Sequence, residues 1–167
     1  MAGLPGTGKS ALAEALAQRL GGTVLSKDQI RRALFSPRDI EYSTEQDDCV
    51  MDVMLLAAER ILQKAPDRIV FLDGRTFSRR YQIERVVNIA KRLGQRWRIL
   101  ECVCSDETAR ERLGAQEDEG QHPAANRTYA LYLEIRQRFE PITRPKTVID
   151  TNQPLEHCVN LALNSLR

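Results

Sequence analysis

Residues Gly3-Leu4-Pro5-Gly6-Thr7-Gly8-Lys9-Ser10 fill every fixed position of the pattern G-x-x-x-x-G-K-[ST]. The chemistry served by this spacing is phosphate binding. Glycines let the backbone close into a nest whose N–H groups all point inward at phosphate oxygens. A helix beginning at the end of the motif aims the positive end of its dipole at the same point. Lys9 is placed to reach the outer phosphates of a nucleotide, and the Ser10 hydroxyl to ligate Mg²⁺. The candidate nucleotide-binding residues are therefore Gly3, Pro5, Gly6, Thr7, Gly8, Lys9, Ser10 and Ala11.

A second group follows in Ser26-Lys27-Asp28-Gln29-Ile30-Arg31-Arg32. Moving a phosphoryl group onto a hydroxyl needs an acceptor for the hydroxyl proton and a cation that holds or neutralises the substrate. Asp28 and Arg31 stand one helical turn apart and can face the same way. Asp28 also suits a helix cap and Arg31 a solvated surface, and the residue types alone leave both readings open. Further on, Asp73 ends an apolar run, and Arg75, Arg79 and Arg80 stand where they could bind an anionic acceptor.

These residues need a scaffold, and the hydrophobic pattern supplies one. Leu12, Ala15, Leu16 and Leu20 recur at helical spacing after the loop, and Gly21-Gly22 ends that helix. Thr23 to Ser26 reads as a short strand, and Asp28 to Phe35 as a brief helix stopped by Pro37. Ser43-Thr44-Glu45-Gln46 is a capping box opening a long helix, with Val50, Met54, Ala57 and Ile61 on its apolar face, until Pro66. Ile69 to Leu72 is an unbroken β-prone run, as expected of a strand buried on both faces. Ser78 caps the next predicted helix, which turns Ile83, Val86, Ala90 and Leu93 inward and stops at Gly94.

Arg98 to Cys104 is another expected strand and Asp106 to Leu113 another helix. Glu117 to Gln121 reads as a mobile loop, and Ala124 to Glu140 as a helix ending before Pro141. Thr147 to Asp150 is a last strand, and Pro154 opens a final helix through Leu155, Val159, Ala162 and Leu166. Short buried strands alternating with helices imply an α/β fold with a parallel sheet covered on both faces. Ligands of such sheets bind at the carboxyl ends of the strands, where the residues singled out above fall. Only Met1 and Ala2 precede Gly3, which leaves no room for the strand from which such a loop normally emerges. Either the true start lies upstream, or something else fills the central slot of the sheet.

The 167 residues are 42% hydrophobic, enough for one domain with a sizeable core. The 25 basic residues are set against 23 acidic ones, so whole-chain charge favours no polyanionic partner. Aromatic residues do not interleave with the basic stretch from Arg75 to Arg98, so no stacking platform for single strands is visible. Trp97 suits core or edge packing, as does the stripe of Tyr129, Tyr132 and Phe139. Cys49, Cys102, Cys104 and Cys158 lack metal-site spacing and read as free thiols of a reducing compartment. No long apolar run or signal-peptide pattern is present, so a soluble cytoplasmic protein is expected.

The loop, Ser26-Lys27-Asp28-x-x-Arg31, Phe71-Leu72-Asp73-Gly74-Arg75-Thr76, Arg138-Phe139-Glu140-Pro141 and Val148-Ile149-Asp150-Thr151 together resemble the small P-loop kinases. The chain looks most like polynucleotide 5′-hydroxyl kinases and the predicted kinases around them. Zeta toxins, gluconate kinases and chloramphenicol phosphotransferases are more distant. The resemblance implies the nucleoside-kinase-like, three-layer P-loop NTPase fold over one domain, residues 1–167, with ATP and Mg²⁺ as cofactors. It also implies that Asp28 is the general base on the acceptor hydroxyl and that Arg31 contacts the acceptor. Asp73 then orients Mg²⁺-bound water or the acceptor. A lid over about residues 106–127 offers Arg110, Arg112 or Arg127 to the phosphates or the adenine, and Asp150, Thr151 and Asn152 border the adenine. Polynucleotide kinases carry an essential lid arginine about one turn past the position of Arg112, where this chain has Gln116 and the acidic run Glu117-Asp118-Glu119.

The leading expectation is transfer of the γ-phosphoryl group of Mg·ATP to a hydroxyl of a small-molecule, nucleotide or polynucleotide acceptor, with catalytic roles for Lys9, Asp28 and Arg31. The alternative is a nucleotide-binding switch or slow NTPase whose bound phosphates order a loop read by a partner. Asp28 with Arg31 favours the first, because a switch needs no acceptor site. A nucleic-acid-binding module without catalysis fits the near-neutral charge poorly.

Overall fold

A computed structural model of the chain describes residues 1–119 and 128–166. The elements run α1 (Lys9–Leu20), β1 (Thr23–Ser26), α2 (Lys27–Leu34), α3 (Thr44–Lys64), β2 (Val70–Asp73), α4 (Arg80–Arg92), β3 (Leu100–Val103), α5 (Asp106–Glu119), α6 (Tyr129–Gln137), β4 (Thr147–Asp150) and α7 (Leu155–Leu166). A 3-10 turn over Pro37–Asp39 separates α2 from α3.

All strand pairing is parallel. β1 pairs with β2, placing Ser26 opposite Asp73, and β3 pairs with β4, placing Val103 opposite Asp150. The slot between the two pairs, which the sequence leaves without a strand, is occupied over Met1 and Ala2. The Met1 amino nitrogen donates to the Leu72 carbonyl at 3.0 Å. Ala2 N–H donates to Leu100 O at 2.8 Å, and Ala2 O accepts from Cys102 N–H at 2.9 Å. Two residues thus tie β2 to β3 and deliver the chain directly into the loop. An apolar cavity of about 720 Å³, lined among others by Met1, Val70, Phe77, Ile83, Trp97 and Ile99, lies toward the amino ends of these strands, away from the loop.

Each face of the sheet has its own core. Leu12, Leu16, Phe71, Leu100, Ile149, Cys158 and Val159 join α1 and α7 to one face. Val50, Met54, Phe77, Ile83, Val87 and Ile142 pack α3 and α4 on the other, with Trp97 and Phe139 against them. This is the expected three-layer α/β arrangement. Among the described residues no helix is long and apolar enough to cross a membrane.

Several boundaries differ from the sequence reading, each for a local reason. On α1 the buried apolar residues are Leu12, Ala13 and Leu16, while Leu20 is exposed beside the left-handed cap Gly21. β2 buries Phe71 and Asp73 but only partly Val70 and Leu72, so it is not covered equally on both faces. α4 starts one residue late. Arg79 is its N-cap, its N–H donating to Gln82 Oε1, while Ser78 uses its carbonyl to accept from Glu140 N–H. α5 continues through Glu119, so the acidic run read as loop is helical up to that residue, and Gly120 and Gln121 lie outside the described residues. α6 starts at Tyr129, where the Thr128 hydroxyl caps it by accepting from Leu131 N–H, and ends at Gln137, before the expected Glu140, while residues 124–127 lie outside the described residues.

Candidate active site

Three glycines give the loop its shape. Gly3, Gly6 and Gly8 have φ of 129°, 77° and 72°, dihedrals that an L side chain occupies only with strain. At Gly3 space is also lacking, since a Cβ there would lie 2.2 Å from the Cys102 carbonyl oxygen. Gly3→Ala is therefore expected to destabilise the fold by about 3 kcal/mol, which for a chain of this size lowers Tm by roughly 6–12 °C. Thermal melting of the two proteins checks it, and an unchanged Tm would show that the loop can be redrawn freely.

Inside the loop the Thr7 hydroxyl donates to Leu4 O at 2.7 Å. Lys9 is 6% exposed, and its Nζ bends back to donate to Leu4 O at 2.6 Å. Pro5, Gly6 and Thr7 are buried, while Ala11 is exposed on the first turn of α1. A nearly buried ammonium bonded to a loop carbonyl, beside the amino end of a 12-residue helix, is a ready site for anionic oxygens. The loop fits a nucleotide's phosphates.

Next to it, Ser10 Oγ donates to Asp73 Oδ2 at 2.7 Å. Asp73 is 3% exposed and its Oδ1 has no hydrogen-bond partner among the described residues. A buried carboxylate oxygen left without a donor is costly unless a cation takes it. Mg²⁺ commonly uses one or two protein oxygens and keeps several waters. Ser10 and Asp73 fit such an ion.

The β1–β2 register brings Asp28 to the same edge. Ser26 pairs with Asp73, and the turn after β2 packs so closely that a Cβ on Gly74 would lie 3.4 Å from Asp28 N and 2.9 Å from Lys27 Cβ. The Ser26 hydroxyl, not Asp28, caps α2, accepting from Gln29 N–H at 3.5 Å. Asp28 therefore has no capping duty. Its carboxylate lies 3.5 Å from an Arg31 Nη.

Arg31 is 2% exposed, so it is no surface residue. It donates to Asp47 and lies over the Tyr42 ring, 5.1 Å from the centroid. Lys27 Nζ also reaches Asp47, at 2.8 Å. Nearby, Arg75 is 4% exposed and its Nη2 lies 2.7 Å from Asp48 Oδ1, an ion pair without hydrogen-bond alignment. Arg79 and the Arg80 backbone are both taken by Glu140. Asp47 and Asp48 were not singled out from sequence. The signal was there, since Asp47 continues the buried stripe of Met51, Met54, Leu55 and Ala58 one turn toward the start of α3.

On the other side of the loop, Arg112 and Thr151 meet. Arg112 donates to Thr151 O at 2.7 Å, to Thr151 Oγ1 at 3.1 Å and to Gly6 O at 3.4 Å. The Thr151 hydroxyl is 3.2 Å from Thr7 O and 3.1 Å from Val103 O. Asn152 bonds back to Asp150 and accepts from Ser105 N–H. Arg110 instead lies over the Tyr129 ring at 4.5 Å, and Tyr129 stacks on Tyr132. Burial and then the Asp106 carboxylate push the Tyr132 hydroxyl up to about 12. Arg127 lies outside the described residues. Burial pushes the Cys102 thiol up to about 11 and raises that of Cys104 too, so neither cysteine near the loop is primed as a nucleophile.

Comparison with known proteins bears on the fold that carries these residues. The chain superposes on a putative kinase from Chloroflexus aurantiacus at 23% identity and a TM-score of 0.74, covering 98% of this chain and 94% of that one. A gluconokinase from Sinorhizobium meliloti aligns at 19% identity and TM-score 0.68, covering 99% and 88%. An APS kinase from Mycobacterium tuberculosis, solved with AMPPNP and APS, aligns at 16% identity and TM-score 0.69, covering 99% and 94%. At these identities the likeness shows the P-loop kinase-like fold; no curated protein sequence matches the chain significantly. Residues 1–142 match the family model described as an AAA domain, so the chain belongs to the AAA_33 family of P-loop proteins.

Proposed function

We propose that the protein is a P-loop kinase that moves the γ-phosphoryl group of Mg·ATP to the hydroxyl of a small acceptor. The observation that carries this reading is the position of Asp28. It is a carboxylate free of capping duty, brought by the β1–β2 register to the edge that holds the Ser10–Asp73 pair and the phosphate loop.

In the reaction the acceptor oxygen forms a bond to the γ-phosphorus as the bond from that phosphorus to the β,γ-bridging oxygen breaks. Asp28 takes the hydroxyl proton, and ADP leaves. Lys9 and the loop N–H groups hold the phosphates, while Arg112 and Thr151 form the neighbouring wall of the nucleotide site. Ser10 and Asp73 would hold Mg²⁺, which would supply neutralisation of the phosphate charge. Arg31, anchored against Asp28, positions the base and borders the acceptor. α5, the described part of the lid expected over residues 106–127, would close over the phosphates and exclude water, and residues 120–127 lie outside the described residues.

The test is ADP formation from Mg·ATP with and without a panel of hydroxyl acceptors: sugars, aminocyclitols, nucleosides and 5′-hydroxyl oligonucleotides. One acceptor class is expected to stimulate turnover at least tenfold above basal hydrolysis. Tight ATP binding with no stimulation by any acceptor supports the nucleotide switch instead.

A further inference from the structure

Resting on the kinase reading, we propose that the acceptor site selects a hydroxyl compound without negative charge, and that Asp47 and Asp48 impose this choice. The site lies among the start of α2, the start of α3 and the turn after β2. Three nearly buried cations stand there: Lys27 at 8%, Arg31 at 2% and Arg75 at 4% exposure. Cations this deep at the carboxyl edge of a kinase-like sheet would ordinarily signal an anionic acceptor.

The charges around them argue the opposite. Lys27 and Arg31 both bind Asp47, Arg31 also faces Asp28, and Arg75 is paired with Asp48. Tyr81 closes the group, its hydroxyl 3.4 Å from both Asp48 Oδ2 and Arg75 Nη2. Three positive charges thus meet three carboxylates. An incoming phosphate, sulfate or carboxylate would gain cations already engaged, while lying close to Asp28, Asp47 and Asp48 in a poorly hydrated place.

What is left is unmet hydrogen-bond capacity of both kinds, donor and acceptor. The Nε–H groups of Arg31 and Arg75 are buried without an acceptor, and Asp48 Oδ1 without an aligned donor, among the described residues. Buried donors of this kind call for an oxygen. Hydroxyl oxygens meet that need and leave the charge balance undisturbed, which points to a polyhydroxylated acceptor, neutral or amino-substituted.

The test uses the full chain loaded with Mg²⁺ and AMPPNP, so that the phosphate loop is filled, and titrates inorganic sulfate and gluconate by calorimetry. The wild type is expected to show no saturable binding of either anion up to about 10 mM, and Asp48→Asn, which releases Arg75, to bind at least tenfold more tightly. Asp47→Asn, which releases Lys27 and Arg31, should act in the same direction, with thermal melting to show that each variant folds. Sub-millimolar anion binding by the wild type, or folded variants with unchanged anion affinity, overturns the proposal. Separate assay of phosphoryl transfer keeps the two readings apart: absent transfer by a protein that binds AMPPNP counts against the kinase reading and leaves the anion titration interpretable.

Discussion

Lys9→Ala is expected to lower turnover roughly 10³-fold or more and to weaken Mg·ATP binding with it. The ammonium is 6% exposed and held over the loop by Leu4 O and Thr7 Oγ1. It therefore meets arriving phosphates already desolvated and placed, and a charge in such surroundings acts with less screening than one in water. Alanine removes the charge but keeps helix propensity at the start of α1, so the helix should survive. Lys9→Met separates charge from bulk, since it fills a similar volume without donating a proton. Both variants should lose turnover together, as measured by ADP release and by calorimetric titration of AMPPNP. Activity retained in the methionine variant would mean that the lysine stem acts by packing.

How much of this was legible in the chain follows from the range of each interaction. The loop, its helix and the four strands are written locally, in glycine spacing and in short β-prone runs, and they stand within two residues of where the sequence puts them. Helix ends depend on competition between neighbouring caps. Arg79 takes the cap expected of Ser78 because the Ser78 carbonyl is engaged by Glu140. The sheet's central slot could not be read at all, since two residues carry no periodicity, yet Met1 and Ala2 occupy it through backbone bonds that are blind to side chains.

The candidate site divides the same way. Ser10 and Asp73 were each visible as types, and so were Arg112 and Thr151, but their meetings depend on packing between elements far apart in the chain. The pairs Arg31–Asp47 and Arg75–Asp48 were invisible for that reason. Arg31 and Arg75 looked like cations available to an anion, and only the packing of α3 across α2 and the turn after β2 shows the carboxylates that face them.

Asp28→Asn carries the mechanistic reading and separates it most sharply from a structural one. The substitution keeps shape and volume while removing the ability to take a proton, so phosphoryl transfer should fall by about two to four orders of magnitude. Nucleotide affinity should hold, because the loop, Lys9 and the Ser10–Asp73 pair lie on other elements. Stability should move little. Ser26 supplies the cap of α2, so the variant loses chiefly a first-turn carboxylate at the positive end of a short helix, about 0.3–1 kcal/mol, or roughly 1–4 °C in Tm. The Arg31 contact at 3.5 Å weakens, but Asp47 continues to hold that guanidinium. Single-turnover transfer, AMPPNP titration and a thermal melt on the same preparation decide the matter. A protein that melts normally, binds AMPPNP normally and fails to transfer identifies Asp28 as the base. A protein that transfers at the wild-type rate removes it from the chemistry and leaves it as Arg31's partner alone.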